Sequence, residues 1–212
     1  MNFDLGSAVE ADIPALSQIW QSSFRSYDIW AAAMRHVSSE DELAFYNKAL
    51  ISRVESPNNA VTKITERETG KIVAWSTMSR PYTKTAEEEK APKPPSIRPE
   101  ATDLKIWSIY ERCGEMMKAC GYNPKTDFAR SGLVVDPAYQ KLGLGRKLAV
   151  YDNEIADEAG ARIWVSASSN SKKLFLSLGF VVLGTESVVL SEDENGEKIG
   201  MNLVTMREPL RK

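Results

Sequence analysis

The sequence predicts an α/β fold, and three observations carry that prediction. The apolar strand Leu133-Val134-Val135 runs into a glycine-bearing loop and then into an amphipathic helix. A second apolar strand, Arg162 to Ala167, leads to a short helix and on to Gly179-Phe180, where another strand opens. Strand and helix patterns alternate along the 212 residues, a length that supports one sizeable core and a single domain, residues 1–212.

Each element has a local reason. Leu5 to Glu10 reads as the first strand. Asp12 is placed to cap a helix with Ile13, Leu16, Trp20 and Phe24 at helical spacing. Ser39 and Glu42 form a capping-box pattern ahead of a second helix, with Leu43, Tyr46, Leu50 and Val54 on one face. Val61 to Arg67 and Lys71 to Ser79 make a strand pair turned at Thr69-Gly70. Residues 80–127 are a long excursion. Its middle is a polar connector rich in proline (Pro92, Pro94, Pro95, Pro99), and a helix from about Asp103 to Cys120 follows. Ile106, Tyr110, Cys113, Met117 and Cys120 form that helix's apolar stripe, with Trp107 beside it and Gly121 as its stop. Such an insertion is either a wall or lid over a site, or an ordinary packing or dimer element. Phe128 to Val135 is the central strand. Gly143 to Ala159 is the helix after the loop, with Leu144, Leu148, Tyr151 and Ile155 facing inward. Arg162 to Ala167, the short helix Asn170 to Leu178, and a closing hairpin of Phe180 to Leu190 and Lys198 to Glu208, turned at Glu194-Asn195-Gly196, complete the chain.

The loop from Asp136 to Arg146 carries the chemistry. Glycines at 143 and 145 let a ligand approach the backbone, and the first amides of the next helix have no internal partners. The helix dipole favours an anion there, and Lys141, Arg146 and Lys147 add positive charge. The loop lacks the Lys-Ser/Thr pair of a nucleoside-triphosphate loop and the three-glycine dinucleotide pattern.

Gln140-x-x-Gly143-x-Gly145 resembles motif A of the Gcn5-related N-acetyltransferases, the GNAT family, and Ala167 to Phe180 resembles that family's motif B. The likeness is to a fungal-type small-molecule acetyltransferase with a helix inserted between the third and fourth strands. It implies a mixed, mostly antiparallel sheet with a parallel centre and helices on both faces. It also implies acetyl-CoA as acyl donor, held at Leu133, Val134, Val135, Gln140, Lys141, Leu142, Gly143, Leu144, Gly145 and Arg146, with Asn170 and Lys173 as further candidates. Leu133 and Val135 would pair with the pantetheine arm through main-chain groups. The expected reaction is N-acetyl transfer to a primary amine of a small molecule (toxin, antibiotic or metabolite) by direct attack in a ternary complex.

The usual proton carriers are missing. Phe175 stands where many relatives carry an acidic tyrosine, and Ala129 where many carry a basic glutamate. Tyr82, Tyr110 and His36 are the substitutes proposed, with Glu111 and Asp136 further possibilities. A non-catalytic acyl-CoA binder, a longer acyl chain and a peptide acceptor are the alternatives. Small residues at Ala129, Ser131 and Gly132 suggest room for a larger acceptor.

Bulk properties bound the rest. Twenty-seven Lys and Arg against 29 Asp and Glu give a formal charge of −2, which offers nothing for nucleic acid. No metal is expected, no run is long enough to span a membrane, and the N-terminus does not read as a signal peptide. Cys113 and Cys120 sit roughly 10 Å apart on one helix, too far for a disulfide, and are expected to be two buried thiols. A cytoplasmic monomer or homodimer is the expected setting.

Overall fold

The computed structural model describes residues 2–92, 95–193 and 196–210. Strand β1 (Phe3–Ser7) is followed by helices α1 (Ile13–Phe24), α2 (Asp28–Ala33) and α3 (Ser39–Glu55). The hairpin of β2 (Asn59–Glu66) and β3 (Ile72–Ser79) comes next. The excursion holds a short α4 (Ala86–Lys90) and a long α5 (Leu104–Ala119). The second half runs β4 (Phe128–Val135), α6 (Leu144–Glu158), β5 (Ile163–Ser168), α7 (Lys172–Leu176), β6 (Val181–Asp193) and β7 (Gly196–Arg207). Pro94 of the connector, and Glu194 and Asn195 of the expected closing turn, lie outside the described residues. No helix among the described residues is long and apolar enough to cross a membrane.

The strands form one sheet in the order β1-β2-β3-β4-β5-β7-β6. Only β4 and β5 are parallel; every other neighbouring pair is antiparallel. On one face, Leu16, Trp20, Trp30, Tyr46 and Leu50 pack over Trp75 and Val134. Beside them, Ile106, Ile109, Cys113 and Met117 of α5 cover Trp164, Val188 and Val204. The other face is closed by Leu144 and Leu148 of α6 against Ile64, Val73 and Ala74, and by Phe175 and Phe180 against Met78, Phe128 and Val165.

Several expectations need correction. Strand β1 ends at Ser7, because the Asp12 carboxylate accepts from Val9 N–H at 2.8 Å and turns the chain into α1. Asp12 therefore closes the turn before α1 and makes no side-chain cap on it. Helix α2 was not foreseen, since six residues are too few to show a period. Ser38, not Ser39, caps α3, accepting from Asp41 N–H at 3.0 Å. That shift frees Glu42 to accept from Trp30 Nε1 and the Tyr46 hydroxyl. Cys113 is buried, but Cys120 lies just past the last turn of α5 and is exposed. Tyr151 is exposed too, because the inward face of α6 is centred on Leu148 and Asp152.

The buried polar pair on that face fixes the central strand. Arg130 Nε donates to Asp152 at 3.0 Å, and its Nη2 reaches Ala149 O and Asn153 Oδ1 at 3.1 and 3.3 Å. Burial pushes the Asp152 carboxyl up and the Arg130 guanidinium down, and each partner's charge opposes the other's shift.

Candidate active site

Strands β4 and β5 pair only from Phe128 to Arg130 against Ile163 to Val165. One residue later β4 bulges. Thr77 pairs with Gly132 and Met78 with Arg130, so Ser131 is the extra residue. Beyond the bulge the two strands part. Asp136 N–H bonds Val73 O on the β3 side, so by alternation Leu133 and Val135 turn their main-chain groups into the gap and Val134 turns its own back to β3. The Val135 carbonyl accepts there from Ser23 Oγ at 2.8 Å and from Gln140 Nε2 at 3.3 Å.

The gap opens into a cleft of about 840 Å³, large enough for a cofactor-sized ligand. Its lower rim is the glycine loop. Lys141 (φ 63°) and Gly143 (φ 80°) are both left-handed, which curls the loop so that the first amides of α6 face the cleft. Lys141 is the one non-glycine residue of positive φ among the described residues. Leu133, Val134, Val135, Gln140, Lys141, Gly143, Leu144, Gly145, Arg146 and Asn170 all line the cleft; Leu142 and Lys173 do not. Arg146 donates to Ser177 Oγ at 2.8 Å, which ties its guanidinium to the end of α7.

The upper wall is aromatic. Trp20, Phe24, Tyr27, Trp30 and Phe45 meet Trp107 and Tyr110 of α5, so the inserted helix forms a wall of the cleft. Trp30 and Trp107 centroids lie 5.4 Å apart, and Trp107 and Tyr110 5.3 Å. At the β5–β7 end, Asn202 donates to Ser166 Oγ at 2.7 Å, and the Tyr27 hydroxyl donates to Asn202 Oδ1 at 3.2 Å. Burial raises the Tyr27 phenol to about 12, the Tyr110 phenol well above its usual range, and the Cys113 thiol as well. The Tyr110 hydroxyl lies beside that of Tyr27 but in no well-aligned hydrogen bond.

Four buried side-chain atoms in the described structure lack a hydrogen-bond partner: Trp20 Nε1, Arg53 Nη1, the Tyr110 hydroxyl and Arg130 Nη1. All four residues line this cleft, and all four atoms can donate. Buried donors left unpaired are costly, and all four lie in residues that wall this one cavity.

Of the substitute proton carriers, the structure brings only Tyr110 to the cleft. Tyr82 lies outside it and donates to Glu88. His36 is exposed on the turn after α2. Glu111 is exposed near Arg98, and Asp136 is paired with Lys71 at 2.8 Å. The room expected at Gly132 is taken, since a Cβ there would stand 2.7 Å from Trp75 Cζ3; Ala129 packs against α5 and its sheet partners. Among the described residues no group of three His, Cys, Asp or Glu side chains is placed to hold a metal.

Sequence reasoning missed Arg53, Arg130, Asp152, Ser166 and Asn202. Two signals were present. Arg53 falls three and seven residues after Leu50 and Tyr46, on the stripe that α3 buries, and Asp152 sits between Leu148 and Ala156 on the stripe of α6.

Residues 122–207 match the family model of the acetyltransferase (GNAT) domain. That stretch spans β4 to β7, and over it the chain is similar to the GNAT acetyltransferases. The GNAT fold extends over the whole chain in solved structures. A histone acetyltransferase HPA2 and related acetyltransferase from Corynebacterium glutamicum is 16% identical, with TM-score 0.61 over 100% of this chain and 99% of that one. The mosquito arylalkylamine N-acetyltransferase like 5b is 18% identical, with TM-score 0.60 over 98% and 100%. A putative acetyltransferase of Salmonella typhimurium, solved with acetyl-CoA, is 17% identical, with TM-score 0.56 over 100% and 96%. No curated protein matches the chain in sequence.

Proposed function

We propose that this protein transfers the acetyl group of acetyl-CoA to a primary amine of a small molecule, within one domain of residues 1–212 in which 80–127 is an insertion. The observation that carries the reading is the junction of two sites in one cleft: the left-handed loop at the start of α6, and the parting of β4 from β5. The loop amides with Lys141 and Arg146 suit a pyrophosphate, while the main-chain groups of Leu133 and the Val135 N–H, turned into the gap, suit a pantetheine amide. Acetyl-CoA is also the ligand of the Salmonella relative. The reading places the protein in the cytosol, where Cys113 and Cys120 stay reduced.

Direct attack fits the chemistry better than an acyl-enzyme. Burial keeps the Cys113 thiol protonated, and a thiol is a far weaker nucleophile than a thiolate. No described cleft residue is an Asp, Glu or His. The amine must then arrive neutral or lose its proton through water. On the leaving side, Tyr110 stays protonated at neutral pH, so it acts as a donor and not as a base. Arg130 Nη1 is the second free donor, its guanidinium 5.5 Å from the Phe175 ring that replaces the usual tyrosine.

Incubation with acetyl-CoA and a panel of amines, with release of free thiol as readout, tests the reading. Amine-dependent release is expected; tight acetyl-CoA binding with no release would favour a binder. Tyr110→Phe is expected to lower kcat by about 100-fold with an unchanged melting temperature, at the low end of general-acid effects. The wild-type kcat/KM should rise with pH along the titration of the amine itself, shifting when the amine's pKa is changed. A fixed inflection near pH 6–7 for every amine would require a base the cleft does not contain.

A further inference from the structure

The acceptor side of the cleft has an electrostatic character of its own. Its charged lining residues are Arg53, Arg130, Lys141 and Arg146, all cationic. Lys141 and Arg146 belong to the anion loop, and Arg130 is neutralised by Asp152. Arg53 remains. It extends from α3 over the Trp20 ring, 5.0 Å from its centroid, and makes no hydrogen bond or ion pair among the described residues. Burial alone lowers its guanidinium to about 10, with no nearby carboxylate opposing the shift. The Trp20 ring beneath it is enclosed by Trp30, Phe45, Tyr46 and Trp75, so the Arg53 guanidinium is the charged group of this stacked pair at the cavity.

A buried guanidinium without a counter-ion is unfavourable, and the aromatic ring beneath it only partly compensates. A carboxylate supplies both the charge and the two acceptor oxygens that a guanidinium fork can bind together. The same lining disfavours polycationic amines such as polyamines or aminoglycosides, which need carboxylates they do not find here.

Building on the transferase reading, we propose that the acceptor is an aromatic amine that also bears a carboxylate, and that Arg53 holds that carboxylate. The aromatic body then lies in the open cleft against the partly exposed Tyr27 and Trp107 rings. The carboxylate belongs to the acceptor and not to the acyl chain.

Paired probes with equal shape and different charge test this: L-phenylalanine against L-phenylalaninamide, and 4-aminobenzoate against 4-aminobenzamide. Binding to the CoA-loaded protein is followed by tryptophan fluorescence, and turnover by thiol release. The carboxylate member of at least one pair should bind about 10- to 100-fold more tightly, and Arg53→Met should bring the ratio to about one by weakening only that member. Arg53→Lys should restore part of it. Arg53→Met should fold, with a melting temperature equal to or above wild type, because it removes an unpaired buried charge.

A ratio unchanged in Arg53→Met, or no binding by any of the four probes, overturns the proposal. So does an Arg53-dependent preference for succinyl-CoA over acetyl-CoA with no preference between the members of either acceptor pair, which would put the carboxylate on the donor. Carboxylate-selective binding without thiol release would instead overturn the transferase reading and leave the Arg53 site standing.

Discussion

Arg130→Met is expected to lower stability by about 3–5 kcal/mol, because Asp152 then stays buried without its counter-charge. The pair is more than a surface ion pair: both side chains are 1% exposed. Arg130 also joins β4 to α6 through Ala149 O and Asn153, and packs on Phe175 and Phe180. For a chain of this size the loss corresponds to a melting temperature lower by roughly 6–20 °C at neutral pH. The deficit should shrink in acid. Burial already pushes the Asp152 carboxyl up, and without Arg130 only the Ser76 hydroxyl opposes that push. A carboxyl whose folded pKa is raised destabilises the fold above that pKa, and protonation relieves it as pH falls. Arg130→Met with Asp152→Leu should recover most of the loss at neutral pH, since no charge is then stranded. Thermal melts of the single and double variants at two pH values check all three statements. A single variant as stable as wild type would mean that water enters the face between β4 and α6.

Gly143→Val is expected to weaken coenzyme A binding about 100-fold, equivalent to about 2.7 kcal/mol, while costing the fold only about 1–2 kcal/mol. The reasoning is backbone, not bulk: a Cβ at Gly143 meets nothing within 4 Å, but the residue sits at φ 80°. A β-branched side chain resists that conformation. If the loop relaxes to negative φ, the amides of Leu144, Gly145 and Arg146 no longer converge. Gly145 provides the contrast. Its Cβ would lie 3.6 Å from Val135 Cγ2, ordinary contact distance, so Gly145→Ala folds without strain. Calorimetric titration with coenzyme A, beside thermal melts, separates the two effects. Unchanged affinity in Gly143→Val would remove the loop from the donor site.

The fold was legible wherever a pattern was long. β4 was bounded at Phe128 and Val135 from sequence, and α5 within a residue at each end, because apolar periodicity and flanking glycines mark those elements. Glycine spacing revealed the loop for a similar reason, since positive φ restricts the residue type. The inserted helix was expected as a wall or lid, but the rest of the cleft's upper side was not legible. Tyr27, Arg53, Ser166 and Asn202 come from four separate elements, and nothing in sequence spacing brings them together. His36 and Tyr82 show the converse error: reactive residue types were preferred, and the topology placed both outside the cleft. Ser131 was read as a space-making residue, whereas its place in the bulge is what parts the strands.

The short pairing of β4 with β5 has a thermodynamic consequence. Three residue pairs join two parts of the sheet that are otherwise continuous ladders, so the molecule is built with part of one strand's width left out. A pantetheine arm lying along Leu133 and Val135 would fill that place, and the donor would become a structural member of the sheet as well as a reagent. Its binding free energy would then add to cohesion across the seam. Melting should rise with coenzyme A concentration, by about 2.7 kcal/mol of added stability at one hundred times the dissociation constant. Product release would accordingly be a partial loosening of the domain, since the protein gives up a strand each time it turns over.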